Sequence, residues 1–261
     1  MSQANSQIPA YASTQIKSTF CRQKMTVFCD FDGPIVDVSQ RYYSTYRQAL
    51  AQTQEIYQAK NIQLAVGALT QDCFWYMKQN RIPDAEIAMR SGLRGSQIEA
   101  FLARVQEIVN QPDLLHKDRL QPGVEWALGL LHSQEFRIVL VTLRRQTQAQ
   151  QILQNYGLLR LFSSIWGTQD DDTAYHNYAE IKQELLKAAI AKENIAIDSA
   201  WMIGDTEADI LAGQACAVPT IALTCGLRSR TYLTQYNPTH IISDLLSASH
   251  FLIAQKQQVA A

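Results

Sequence analysis

The feature that most constrains this chain is a short apolar run that ends in two carboxylates and a chain break. Residues Met25 to Phe28 are apolar, β-branched or aromatic, which is typical of a buried parallel strand. Gly33-Pro34 then ends the strand. Because residues two apart on a strand share a face, Asp30 and Asp32 can converge on one point. Two close carboxylates repel each other, so they indicate a divalent metal or an acid/base site.

The rest of the chain repeats the same strand pattern at regular intervals, with helical patterning between the strands. Four later strands are predicted, at Arg137–Val141, Ala200–Ile203, Val218–Leu223 and Ile241–Ile242. A helix follows most of them. This alternation predicts an α/β fold with a doubly wound, Rossmann-like parallel sheet and helices on both faces.

One long interval breaks the alternation, because residues 39–119 carry helical patterning and no convincing strand. We predict helices from Ser39, from Leu64 to Lys78, from Asp84 to Met89 and from Ser96 to Val109. The predicted organisation is a flexible leader (1–23), an α/β core (24–38 and 120–261) and an inserted helical cap (39–119).

Composition excludes several classes of protein. Lys and Arg total 23 against 24 Asp and Glu, so no overall field favours nucleic acid or an anionic membrane. There is neither an 18-residue apolar stretch nor a signal-like N-terminus. The five cysteines are scattered without a C-x-x-C pair, which is typical of a reducing compartment. We therefore expect a cytoplasmic globular protein that binds neither nucleic acid nor membrane.

Polar residues follow three of the predicted strands: Asp30 with Asp32, Thr142, and Asp205 with Asp209. In a doubly wound sheet such strand ends meet in one crevice. Carboxylate and hydroxyl oxygens suit Mg²⁺, which prefers one or two carboxylates together with a substrate phosphate. Lys182, near the start of the helix before the Asp205 strand, adds a cation that could hold that phosphate. On a helix, however, a lysine is more often a solvated surface residue.

These residues resemble the four motifs of the haloacid dehalogenase superfamily, in the phosphoglycolate-phosphatase-like branch with a helical cap. Asp30 to Asp37 is similar to the first motif, Thr142 to the second, Lys182 to the third and Gly204 to Asp209 to the fourth. The motifs occur in the family's order, and core plus cap cover the chain from about Lys24 onward. The resemblance implies a Mg²⁺-dependent phosphatase for a small phosphorylated metabolite, as a monomer or homodimer.

The resemblance also implies a role for each residue that matches a motif. The resemblance implies that Asp30 is the nucleophile that forms an aspartyl-phosphate. Asp32 would be the general acid and then the general base. Thr142 and Lys182 would bind and position the phosphoryl group. The implied metal ligands are the Asp30 carboxylate, the Asp32 main-chain carbonyl, Asp205 and, less directly, Asp209.

Two local features depart from the family pattern or extend it. Pro34 stands where the family usually has Thr or Val, and it removes an N–H from the loop. Arg144, two residues beyond Thr142, is a candidate substrate ligand. The cap adds aromatic and basic residues that could line a pocket or simply pack or face solvent: Tyr42, Tyr43, Tyr46, Trp75, Tyr76, Arg41, Arg47, Arg81, Arg90 and Arg94.

Other functions stay open at this point. A β-phosphoglucomutase-like mutase would use the same four motifs and a helical cap. A non-catalytic binding protein on the same fold is the second alternative, although intact Asp30, Asp32 and Asp205 weigh against it. Asp170 to Asp172 are expected to form a solvated loop and are not predicted ligands.

Overall fold

A computed structural model describes residues 24–169 and 178–260 of the protein. The predicted leader and the Asp170 to Asp172 loop therefore lie outside the described residues. The strands are β1 Thr26–Cys29, β2 Val36–Asp37, β3 Arg119–Leu120, β4 Arg137–Arg145, β5 Ser164–Thr168, β6 Ala200–Gly204, β7 Thr220–Leu223 and β8 His240–Ile242. Six of them form one parallel sheet in the order β5-β4-β1-β6-β7-β8. The predicted fold class is confirmed.

The helices of the described residues are α1 Ser39–Gln58, α2 Gln71–Gln79, α3 Asp84–Arg90, α4 Ser96–Ile108, α5 Pro112–Leu115, α6 Val124–Ser133, α7 Gln146–Asn155, α8 Ala179–Lys192, α9 Glu207–Ala215, α10 Arg230–Thr234 and α11 Leu245–Ala260. Short 3₁₀ turns at Leu159–Leu161 and Ile197–Ser199 complete the regular structure. None of these helices is long and apolar enough to cross a membrane.

Both faces of the sheet are buried under helices. Val27 and Cys29 of β1 point into a cluster that includes residues of α6, α7 and α11. Phe28, between them, points into a second cluster with residues of α8 and α9. Because successive strand residues face opposite sides, a strand covered on both faces is apolar at every position, which explains the continuous apolar runs in the sequence.

The interval between β2 and β3 contains α1 to α5. Its two ends lie side by side, because β2 and β3 pair as antiparallel strands, with Val36 opposite Leu120 and Asp37 opposite Arg119. Inside this segment the rings of Tyr46 and Phe74 stack at 4.9 Å, and both belong to its buried core. The chain thus enters and leaves the helical segment at one place, next to the carboxyl end of β1.

Two predicted element bounds differ from the structure by more than two residues. Residues 62–70 are irregular rather than helical, because tyrosine side chains of α1 bind this backbone: Leu69 N–H donates to Tyr46 Oη at 2.7 Å and Tyr43 Oη donates to Leu69 O at 2.9 Å. Strand β4 does not end at Thr142 but continues to Arg145, with a register irregularity between Val141 and Arg145.

Candidate active site

Three buried carboxylates meet at the carboxyl end of the sheet. Asp30 follows β1 and its N–H donates to Ile203 O of β6 at 2.9 Å. Asp205 follows β6, and Asp209 lies in the first turn of α9. One oxygen from each of the three carboxylates lies within 4.8 Å of the others. All three side chains are buried, and Asp205 is fully so.

Backbone packs tightly around the Asp205 carboxylate. Its Oδ2 accepts a hydrogen bond from Leu227 N at 2.5 Å, while its Oδ1 is buried without a partner. A Cβ on Gly33 or on Gly226 would lie 2.0 Å from Oδ2. Gly33 also has φ of +100°, which side chains disfavour. Glycine at both positions therefore allows the backbone to enclose this carboxylate.

Lys182 lies against the same cluster. It is on the first turns of α8, buried, with Nζ 2.6 Å from Asp30 Oδ1 and 2.8 Å from Asp209 Oδ1. Asp209 Oδ2 accepts from Thr206 N–H and Oγ1, which closes the capping box of α9. Asp209 is thus held by its own helix while it holds Lys182. Burial lowers the pKa of Lys182, but Asp209 and Asp30 outweigh it and raise the pKa above its usual value.

The cluster carries more negative than positive charge. Burial, then the charge of Asp209, raises the pKa of Asp30 to about 7, against the opposing effect of Lys182. Burial, then Asp30 and Asp209, raises the pKa of Asp205 well above its usual value. Three hard oxygen donors, one with an unpartnered buried oxygen, fit a hard divalent cation such as Mg²⁺. Such an ion would offset the repulsion that, together with burial, raises these pKa values.

Asp32 has a different environment from Asp30, although only one residue separates them. Its Oδ1 lies 2.8 Å from Arg144 Nη2 and its Oδ2 lies 3.1 Å from Arg41 Nη2. Asp118 contacts the same two guanidiniums, with Oδ2 2.7 Å from Arg144 Nη2 and Oδ1 2.9 Å from Arg41 Nε. The four side chains form a closed ring of alternating charge.

The ring gives Asp32 a pKa shift opposite to that of Asp30. Burial alone would raise the pKa of Asp32, but Arg144 and then Arg41 outweigh burial and hold it below its usual value. The pKa of Asp30 is shifted in the opposite direction. Pairs of carboxylates whose environments drive their pKa values apart are typical of sites that divide acid, base and nucleophile roles.

The Arg144 guanidinium is held at one nitrogen, and its other two nitrogens have no hydrogen-bond partner. Its Nη2 is held by Asp32 and Asp118, and its Cζ lies 5.2 Å from the centre of the Phe31 ring. Its Nε and Nη1 are buried and have no hydrogen-bond partner. Thr142, also buried, accepts from Arg144 N–H at 3.1 Å. Buried unpaired donors are costly, so this guanidinium is arranged for an anion.

These residues line a small cavity of about 30 Å³, space for about one water. Lys78, Arg81 and Arg228 also line this cavity and make part of its wall basic. Glu207 binds Arg228 through Nε at 2.9 Å and Arg81 through Nε at 3.1 Å. Arg81 belongs to the inserted segment, whereas Arg228 and Glu207 belong to the core. A cavity of this size is too small for a phosphate ester, so its lining must move before one can bind.

Pro34 fits the turn that carries Asp32. The hydrogen bonds of this turn are donated by Gly33 N to Val36 O and by Ile35 N and Val36 N to Phe31 O. None of these needs an N–H at position 34, which proline lacks. The departure from the family pattern therefore costs this turn none of those bonds.

The structure brings the predicted residues together. Asp30, Asp32, Thr142, Arg144 and Lys182 all line the cavity, and Asp205 and Asp209 lie beside it in the acidic cluster. The side chain of Asp32 is not part of that cluster and instead faces the two arginines. The catalytic roles of these residues and the metal ligation stay predictions.

Sequence reasoning missed Asp118 and did not separate Arg41 from four other arginines of the inserted segment. Arg41 is buried and contacts Asp32 and Asp118, and no local pattern marks it. Of the aromatic candidates, Tyr42 lines the cavity, Tyr46 packs inside the segment and Tyr76 is exposed.

Comparison with known proteins identifies the family. The model of the haloacid dehalogenase-like hydrolases matches residues 27–223. A 5'-nucleotidase of Pseudomonas aeruginosa is 27% identical over 138 residues, which are 53% of this chain and 60% of that protein. The probable phosphatase IndB of Dickeya dadantii is 25% identical over 236 residues, 88% of this chain and 95% of that protein. Phosphoglycolate phosphatases are among the further relatives.

A solved structure shares the fold. A protein from Haemophilus somnus, described as a predicted phosphoglycolate phosphatase, superposes with a TM-score of 0.62 over 88% of this chain and 99% of that chain, at 18% identity. The chain spans less than two thirds of the length of the first nucleotidase and pyrophosphatase relatives. The resemblance predicted from the four motifs is confirmed, and the chain belongs to the haloacid dehalogenase-like hydrolases.

Proposed function

We propose that the protein is a Mg²⁺-dependent phosphatase that hydrolyses a small phosphate monoester through an aspartyl-phosphate on Asp30. The observation that carries this proposal is the pairing of a buried acidic cluster with buried cationic donors across one small cavity. Relatives named phosphatases support the reaction class.

The first half-reaction transfers the phosphoryl group to the protein. A carboxylate oxygen of Asp30 attacks phosphorus, and the bond between phosphorus and the ester oxygen breaks. Asp32 turns away from the two arginines, takes up a proton and gives it to the departing oxygen. The oxygens of the transferring group lie against Lys182, Thr142 and Arg144, which offset its charge and fix its orientation.

The second half-reaction restores the enzyme. Asp32, now ionised, takes a proton from a water, and that water attacks phosphorus as the bond to Asp30 breaks. Inorganic phosphate and the free Asp30 carboxylate result. The pairing of Asp32 with Arg41 and Arg144 favours its ionised form, which is the form required of the base.

Mg²⁺ fits the carboxylates of Asp30 and Asp205, with the Asp32 main-chain carbonyl and, less directly, Asp209. When bound, the ion supplies positive charge that neutralises the phosphoryl oxygens. Without it, the three carboxylates of the cluster would repel an anionic substrate.

Residues 39–119 act in this proposal as a cap that opens to admit substrate and closes to exclude water. Beside the cavity, Arg81 of the cap pairs with Glu207 of the core. On the same side, Ser229 N donates to Gln79 O at 2.9 Å. The hinge of this movement is the β2–β3 pair, where the chain enters and leaves the segment.

The test is a screen of phosphorylated metabolites and p-nitrophenyl phosphate with the purified protein, with Mg²⁺ or with EDTA. We expect Mg²⁺-dependent phosphate release. Asp30→Asn should lower turnover on the order of 10⁴-fold or more, since it removes the nucleophile. Wild-type turnover by this variant would refute the mechanism. Formation of a sugar-phosphate isomer with little free phosphate would instead indicate a mutase.

A further inference from the structure

Asp118 belongs to none of the four motifs, yet it is the hub of the ring around Asp32. It lies just before β3, in the inserted segment, and only 2% of its side chain is exposed. Its two oxygens bind different guanidiniums, Arg41 through Oδ1 and Arg144 through Oδ2. A carboxylate buried between two arginines is held strongly, because each contact is a charge-assisted hydrogen bond.

Arg144 is shared between two carboxylates through a single nitrogen. Nη2 lies 2.7 Å from Asp118 and 2.8 Å from Asp32. If Asp32 turns away to exchange a proton with substrate or water, Asp118 still holds the guanidinium. The remaining nitrogens, Nε and Nη1, are buried without partners. They lie on different edges of the guanidinium, so each can donate to an anion oxygen.

Arg41 is anchored in the same way from the other side. Its Nη1 donates to Asn110 Oδ1 at 3.1 Å and to Val109 O at 3.4 Å. With Asp118 on Nε, Arg41 keeps its position whether or not Asp32 occupies Nη2. Both arginines are therefore fixed independently of the residue proposed to move protons.

We propose that Asp118 is a positioning residue that fixes Arg144 for a phosphoryl group while leaving Asp32 free to exchange partners. The inference rests on the proposed function and adds a residue to it. Asp118 acts through Arg144 and touches neither substrate nor metal. Without the charge of Asp118, only Asp32 holds Arg144 in place. Asp32 cannot then exchange a proton without releasing the guanidinium.

The experiment compares Asp118→Asn with wild type in Mg²⁺ by two readouts. Calorimetry measures the affinity for inorganic phosphate, and steady-state kinetics measure p-nitrophenyl phosphate, whose leaving group departs without a proton. We expect phosphate affinity and kcat/KM both to fall roughly 10- to 100-fold, the range for a lost charge-assisted contact. In an Arg144→Ala background the same substitution should change either value by less than about threefold, since coupled residues are not additive.

Controls keep the outcome interpretable. Asp113→Asn removes an exposed carboxylate from the same part of the chain and should leave both readouts unchanged. Asp118→Glu keeps the charge and should retain more phosphate affinity than Asp118→Asn; it also carries the test if the asparagine variant does not fold. Equal losses from Asp118→Asn with and without Arg144 would overturn the inference, as would unchanged phosphate affinity. A wild-type protein that hydrolyses no ester would reject the proposed function, whereas phosphate binding would still test Asp118.

Discussion

Replacing Asp205 with asparagine should stabilise the metal-free protein and abolish its response to Mg²⁺. Asparagine keeps an acceptor for Leu227 N, which donates to Asp205 Oδ2, and it preserves the side-chain volume between the two glycines. It removes one of three carboxylates that lie within 4.8 Å of one another. The amide also supplies a donor in place of the unpartnered Oδ1.

The size of the effect follows from the spacing. At the 4.8 Å limit of the cluster, two unit charges repel by about 3.5 kcal/mol at an effective dielectric constant of about 20. Lys182 offsets part of this repulsion, and the native protein avoids more of it by retaining protons. We therefore expect Asp205→Asn to add about 1 to 3 kcal/mol to the free energy of unfolding near pH 8.

The pH dependence has a defined sign. Between pH 3.8 and about 7, folded Asp30 retains a proton that the unfolded chain has released. The stability of the metal-free protein therefore falls as pH rises through this window. Burial, Asp30 and Asp209 also raise the pKa of Asp205 itself. Asp205→Asn removes this group, so its advantage over wild type should be small at about pH 4 and largest near pH 8.

Urea unfolding in EDTA, followed by tryptophan fluorescence at both pH values, measures this difference. A second series in Mg²⁺ should stabilise wild type and leave Asp205→Asn unchanged. Asp198→Asn, at an exposed carboxylate, is the matched control and should differ little from wild type in both series. A variant less stable than wild type in EDTA near pH 8 would refute the argument from repulsion. Equal stabilisation of both proteins by Mg²⁺ would place the metal elsewhere.

Two further pairs of variants test the site and the closed cap. Gly226→Ala places a Cβ 2.0 Å from the Asp205 carboxylate and should eliminate the Mg²⁺-induced rise in Tm. Its control is Gly129→Ala, in a helix with open space around it, which should raise the free energy of unfolding by up to about 1 kcal/mol. Glu207→Gln leaves its buried guanidinium partner uncompensated and should cost about 3 kcal/mol in thermal unfolding. Glu184→Gln, in an exposed pair, should cause no measurable change, and equal costs would contradict the reasoning.

The fold was predictable because its signals are local. A strand buried on both faces has an apolar residue at every position, and each such run in the sequence is followed by a breaker or a polar strand end. Asp30 and Asp205 are therefore recognisable from a few neighbouring residues each. Lys182 had a weaker signal, since a lysine on a helix is usually exposed. Its position near the helix start and the order of the four motifs singled it out.

The missed parts depend on contacts distant in sequence. Arg41 and Asp118 are 77 residues apart and pair only because β2 and β3 bring their segments together. No periodicity or spacing marks such a pair. The predicted helix from Leu64 was wrong for a similar reason: tyrosine hydroxyls from α1 bind the backbone near Leu69 and replace helical hydrogen bonds.

The antiparallel β2–β3 pair has an evolutionary consequence. Because it brings the two ends of the helical segment together, an ancestor could exchange that whole segment without rerouting the sheet, as insertions succeed where chain ends lie close. Arg41 and Asp118 restrict this freedom, since both lie near those ends and contact the ring around Asp32. Exchange of the helical segment would therefore preserve the proposed reaction only if the new segment supplied its own partners for Asp32 and Arg144. Selection for new substrates should consequently act on the middle of the segment and spare its ends.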